Sequence, residues 1–119
     1  MAVSVKELIE QKEAIEKRRK QQYDLETSIG TITVKQPSRA LAAEAIGMED
    51  GDPYIIIECT VSPNLKDKNL LEAYGCVEPT DLPARLFQAG EVNAIARRIM
   101  ECAGYRKDIR AELHETTKN

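Results

Sequence analysis

The chain has 119 residues, with 17 Lys and Arg against 20 Asp and Glu, a net charge of −3 and a single His. One core of this length buries about 65% of the surface its unfolded chain exposes, which points to one domain and disfavours a large enclosed active site. Leu, Ile, Val and Phe account for only 27 of the residues, just above the level of about 20% at which a charged chain stays disordered, so the core must be small.

The charge is uneven. Residues 1–20 carry six basic side chains against four acids, residues 21–90 five against eleven, and residues 91–119 six against five. An acidic centre gives no field for phosphate backbones, so nucleic acid is disfavoured as a partner unless the terminal segments hold it. Cys59, Cys76 and Cys102 are odd in number and lack the C-x-x-C spacing of zinc or redox sites, which reads as a reduced, cytosolic chain. The N-terminus lacks the apolar run of about 7 to 15 residues of a signal peptide, and no window approaches the roughly 18 apolar residues of a membrane span.

Ser4 followed by Glu7 is the pattern of a capping box and predicts a helix over 5–21. Its apolar positions Val5, Leu8, Ile9 and Ile15 make a thin stripe, while Glu13–Lys17 and Glu16–Lys20 are spaced as i,i+4 ion pairs. Such a helix is weakly tied to a core; it projects, pairs with another helix, or frays. From Tyr23 to Lys35 the period changes to alternation, Gly30 permits a turn or bulge, and β-branched residues dominate 31–34, predicting a small hairpin near 23–35. A hairpin alone is marginal in water, so it must lie on helices or pair with another strand.

Pro37 closes the second strand, and Ser38 caps a predicted helix over 39–46 that ends at Gly47, a residue suited to the left-handed turn after a helix. Asp52-Pro53 offers an N-cap with Pro at the first helical position, which predicts helix for 53–61; the Ile and Val content leaves strand as the alternative. A short helix over 66–74 stops at Gly75. Asp81 or Thr80 caps another over 82–89, with Pro83 in its first turn. Gly90 is expected to break or bend the chain before the longest apolar helix. There Val92, Ile95, Ala96, Ile99, Met100 and Ala103 form a buried stripe, with Arg97, Arg98 and Glu101 on the other face and Gly104 at the end. Residues 106–119 are polar and finish in Thr-Thr-Lys-Asn, the composition of a frayed helix or loose tail.

Candidate chemistry is sparse. A cysteine nucleophile needs a base within reach, and His114 stands far along in the tail; Cys59 and Cys102 fall among apolar neighbours, as small hydrophobes do. The three Cys and His114 do not have the spacing of a compact zinc site. Glu49, Asp50 and Asp52 around Gly51 lack the full ligand spacing of a calcium loop. Lys17-Arg-Arg-Lys20 with Tyr23 beside it could form a basic arm with a stacking aromatic, but four glutamates offset that charge and a helix C-terminus favours it. Nothing here predicts an enzyme, a cofactor or a metal.

The run VSPNLKDKNLLEAYGCVEP, with GTITVKQPSR ahead of it and LFQAGEVNAIARRIMECAGY behind, resembles the tail assembly chaperone family of phages and phage-like elements of Gram-positive bacteria, the XkdN-like group. The resemblance covers about residues 25–105. It rests on the Gly-Thr-Ile-x-Val strand leading into Pro37-Ser38-Arg39, on Val61-x-Pro-x-Leu-x-Asp before a short helix, and on Gly90-Glu91-Val92 ending in Gly104-Tyr105. It implies a non-enzymatic protein of the bacterial host cytoplasm. Such a protein binds the helical tape measure protein, keeps it soluble until tail tube subunits polymerise, and is absent from the mature virion. In related systems a translational frameshift appends a segment that recruits the tail tube protein, which would add that protein as a partner of a longer form. A homo-oligomer is a further expectation.

The expected architecture is α+β: a mainly α-helical single domain over 23–105 with its small hairpin, a charged N-terminal helix over 1–22 that projects, and a polar tail over 106–119. A holdase needs apolar anchors on a soluble body, and Leu70, Leu71, Tyr74, Leu82, Leu86 and Phe87 are the candidate client contacts because they stand on short helices with few neighbours. For each of them the core is the competing assignment. Competing functions are a small nucleic-acid-associated regulator using Lys17–Lys20 and a structural tail adaptor subunit.

Overall fold

Ser4 and Glu7 start the first helix in the computed structural model, which describes residues 1–114. The Glu7 amide donates to Ser4 Oγ at 3.1 Å and the Ser4 amide to Glu7 Oε1 at 3.2 Å. The helix runs in two pieces, α1 (Val5–Glu10) and α2 (Lys12–Arg19). Gln11 carries the backbone bonding across, donating to Glu7 O at 3.0 Å and accepting from Ile15 N at 2.9 Å, so the two pieces form one rod. None of its residues is buried. The expected Glu13–Lys17 and Glu16–Lys20 pairs do not close: the ion pairs among the described residues are Lys66–Glu58 and Arg110–Glu112.

The β-branched segment folds into β1 (Gln22–Thr27) and β2 (Gly30–Lys35), antiparallel from Gln22↔Lys35 to Thr27↔Gly30. Gly30 takes φ +120°, a conformation that costs any other residue strain. A third strand, β3 (Thr60–Ser62), completes the sheet in the order β1-β2-β3, with an irregularity in register at Thr33/Val34. This supplies the partner a lone hairpin lacks. The alternation of β2 puts Ile32 and Val34 fully inside, and Tyr23 and Leu25 of β1 pack half-buried on the same core.

α3 (Arg39–Ile46) is capped by Ser38, whose Oγ accepts from Leu41 N at 3.2 Å. Gly47 ends it at φ −81°, in the right-handed region rather than the left-handed one the sequence suggested. α4 (Gly51–Cys59) is helical, as Asp52-Pro53 predicts, although it begins earlier, with Asp50 at the N-cap. Its strand-like Ile55-Ile56-Ile57 and Cys59 are all buried, because α4 lies under several elements at once: α3, α6, α7 and the short turn before α6. A helix apolar on every side is what that position requires. Only Thr60–Ser62, the end of the ambiguous run, becomes strand.

α5 (Lys68–Ala73) starts at Asp67, whose Oδ1 accepts from Leu70 N at 2.9 Å, two residues later than expected. It closes at Gly75, φ +66°, with Cys76 N donating to Leu71 O at 2.9 Å. A 3-10 turn over Pro79–Asp81 leads into α6 (Leu82–Leu86), which stops short of the expected Ala89 because Phe87 is extended. α7 (Ala89–Cys102) is the longest helix. Gly90 does not break it but sits in its first turn, after Gln88 and Glu91 form the cap. Ile95, Ala96 and Ile99 of its stripe are buried, Val92, Met100 and Ala103 are half-buried, and Arg97, Arg98 and Glu101 face solvent. Gly104 ends the helix at φ +89°. Residues 107–114 carry no regular element, and the expected finish of the tail, Thr116 to Asn119, lies outside the described residues.

Candidate binding surface

The six candidate contact residues separate into two groups. Leu82 is 0% and Phe87 5% exposed, and both belong to the buried cluster with Ile55–Ile57 and Ile95–Ile99. The physical reason is packing: α6 lies against α4, and Phe87, extended after α6, is enclosed in the same core cluster. These two are core residues and leave the set of surface anchors. Leu70, Leu71 and Leu86 are half-buried, leaning on that core with part of each side chain outside, and Tyr74 is 42% exposed.

Val77, which sequence reasoning passed over, stands 92% exposed three residues after Tyr74. Its only signal in the sequence is an apolar residue in a turn where no periodicity demands one. The turn that presents Tyr74 and Val77 is held firmly. Gly75 N donates to Glu72 O at 3.1 Å, and Arg85 Nη1 of α6 reaches the Tyr74 carbonyl at 3.1 Å, joining the end of α5 to α6. The arrangement is an apolar tip braced by these bonds, with acids at Glu72, Glu78 and Asp81 in the neighbouring sequence.

A concave surface of about 250 Å³ lies between the end of α3, the start of α4 and the face of α7. Ala45, Ile55, Ala96 and Met100 contribute apolar surface, and Arg97 and Arg106 contribute charge. Asp52 also lines it and accepts from Asn93 Nδ2 at 3.0 Å. This groove joins residues as far apart in sequence as Ala45 and Arg106, so no local pattern announces it. It could take an apolar side chain.

Cys59 is buried, and burial pushes its thiol up to about 11, against a smaller lowering by Lys35; burial also raises Cys102. A protonated, enclosed thiol is a poor nucleophile. Among the described residues no three His, Cys, Asp or Glu side chains gather into a metal-holding group. Asp50 stands at the N-cap position of α4 without a side-chain cap bond, and Asp52 bonds Asn93. Tyr23, the candidate stacking aromatic, packs half-buried on the core, while Lys17–Lys20 remain exposed at the end of the rod. Among the described residues no helix is long and apolar enough to cross a membrane.

One polar contact organises the body. Glu91 in the first turn of α7 accepts from Ser28 Oγ at 2.6 Å and Ser28 N at 2.7 Å, tying the β1–β2 turn to the helix. These bonds, the Ser28 hydroxyl first, hold the Glu91 carboxyl below its usual range.

A family model described as phage XkdN-like tail assembly chaperone protein matches residues 9–118. The match is wider than the motifs between 25 and 105 and takes in most of the rod and the tail. No match was found among curated proteins or among solved structures.

Proposed function

We propose that this chain, which belongs to the XkdN-like phage tail assembly chaperone family, binds the helical tape measure protein and keeps it soluble until tail tube subunits polymerise around it. The observation that carries the reading is the apolar tip: Tyr74 and Val77 exposed on a turn braced by Arg85, beside the half-buried Leu70, Leu71 and Leu86. A client helix with apolar residues at i, i+3, i+4 and i+7 presents a stripe that such a tip can cover, excluding water without any covalent step. Acidic surroundings keep both the free chaperone and the complex from aggregating through their apolar faces.

The chaperone acts in the host cytoplasm, without catalysis, and departs before the virion is complete. Half-buried leucines suit that release, since each contributes only part of its apolar area to the client and the grip stays reversible. Co-expression with a long helical tape measure protein is the test. The expected result is a rise in the soluble fraction of that protein, and an unchanged fraction overturns the proposal. Mass spectrometry of purified particles checks the departure, because this chain at full tail stoichiometry would identify a structural subunit instead.

A further inference from the structure

The groove between α3, α4 and α7 opens where the tail begins, since Tyr105 and Arg106 line its rim. Gly104 and Arg106 take φ +89° and +67°, and Lys107 N donates to Gly104 O at 3.2 Å, so the chain turns sharply as it leaves α7. Beyond that turn Ile109 is 89% and Leu113 94% exposed, on a segment, 107–114, that carries no regular element. An open apolar groove and an uncovered apolar segment thus start from one place.

The two match in spacing. Ile109 and Leu113 stand four apart in the run Ile-Arg-Ala-Glu-Leu, which is rich in good helix formers. A helix so short does not hold alone in water, which accounts for its irregular state while nothing covers it. As a helix it sets the two side chains about 6 Å apart on one face, and Ala96 and Met100 have the same spacing along the groove wall of α7. The Arg110–Glu112 pair of the free tail is exposed and holds it little.

Charge selects the direction. Arg97 stands exposed at the outer edge of the groove, on the other side of Met100 from the buried Ala96. A tail helix laid parallel to α7 turns Asp108 and Glu112 toward that edge and Arg110 toward α4, where Asp52 lines the groove. Laid antiparallel, it sets Arg110 against Arg97. A tail folded back onto its own α7 must run antiparallel, so the favourable direction needs another chain. In the parallel register Ile109 beside Ala96 brings Asp108 to Arg97, and Leu113 beside Met100 brings Glu112 toward Arg106, so the apolar and charged contacts form together.

We propose that this groove receives the tail of a second copy of this chain, with Ile109 and Leu113 as its anchors. A two-fold axis across α7 sets the two α7 helices antiparallel, and each tail, reversing after its own α7, then runs parallel to its partner's. Exchange is reciprocal, so the pair closes and leaves no groove free for further growth. The interface is small and belongs to the weak, concentration-dependent class.

Sedimentation of the full chain from micromolar to near-millimolar protein tests this. The expected result is a monomer–dimer equilibrium with no larger species. Leu113→Asp, at a side chain 94% exposed in the single chain, should weaken it tenfold or more while leaving thermal unfolding unchanged. Arg97→Glu should weaken it severalfold, and Asp108→Lys added to that variant should restore it. A disulfide separates exchange from self-docking: with Cys76→Ser and Cys102→Ser in place and Cys59 buried, a chain carrying Arg97→Cys and Asp108→Cys should oxidise in air to a covalent dimer. A monomer at every concentration, oligomers that grow beyond two, a dimer indifferent to Leu113→Asp, no rescue by Asp108→Lys, or a disulfide closed within one chain overturns the proposal.

Discussion

Phe87 and Val77 make opposite predictions under the same assay. Phe87 is 5% exposed within the cluster that joins α4, α6 and α7, so Phe87→Ala removes nearly a whole ring from contact and leaves a cavity where it stood. Buried Phe→Ala changes cost about 3–5 kcal/mol, a large share of the roughly 5–15 kcal/mol that holds a domain folded. At about 4 °C per kcal/mol for a body of this size, Tm should fall by roughly 12–20 °C. Val77→Ser and Tyr74→Ser, at 92% and 42% exposure, should stay within about 0.5 kcal/mol of the parent. Urea titration followed by circular dichroism reads all three, with the midpoint moving and the slope constant. The soluble yield of the co-expressed tape measure protein then gives the other half: Tyr74→Ser and Val77→Ser lower it at unchanged stability. A Phe87→Ala protein as stable as the parent but unable to hold the client would refute the division between core and tip.

Three further outcomes follow from individual contacts. Glu91 is depressed by its Ser28 bonds, so between its folded value and the ordinary carboxylate value of about 4.3 the unfolded chain binds more protons than the folded one. The contribution is therefore complete above the unfolded value and is lost as pH falls through the folded one; the stability gap between the parent and Glu91→Gln should shrink in acid, and a gap that widens there would reverse the sign of the argument. A methyl placed on Gly51 overlaps the Ala45 carbonyl where α3 meets α4, so Gly51→Ala should cost about 1–3 kcal/mol in urea, and a neutral substitution would mean the two helices do not approach so closely. With its thiol at about 11 and its side chain enclosed, Cys59 should ignore thiol reagents in the native protein while Cys76 and Cys102 react. Labelling of all three thiols before unfolding would contradict the burial.

Where several signals agreed, the sequence was a good guide to the fold. The Ser4–Glu7 and Ser38 caps and the long apolar stripe of α7 each carry more than one residue's signal, and each stands where the sequence places it. Misreadings cluster where one residue had to decide alone. Gly90 by its type suggests a break, yet the first turn of a helix lacks intrahelical partners for its amides and tolerates glycine well. Gly47 by its type suggests a left-handed turn, and the chain instead ends α3 in the right-handed region. Strand stands as the alternative for 53–61, but only its end is β3, because three residues show no alternation and the pairing with β2 is a tertiary fact.

The binding surface was legible as a region and not as residues, for a related reason. α5 has six residues and α6 five, less than two turns each, so neither can display the repeat that separates an inner face from an outer one. Leu82 and Leu86 lie four apart and would share a face on any helical wheel, yet one is fully buried and the other half-buried. Tyr74 and Val77 stay outside because Gly75 turns the chain between them at φ +66°. If that turn sets the tip, then Gly75→Ala should strain it, costing about 1 kcal/mol or somewhat more, and should move Tyr74 and Val77 relative to Arg85. Client capture would then fall further than the stability loss explains. An unaltered client yield from a measurably strained Gly75→Ala protein would show that the apolar side chains act singly, without the geometry this turn imposes.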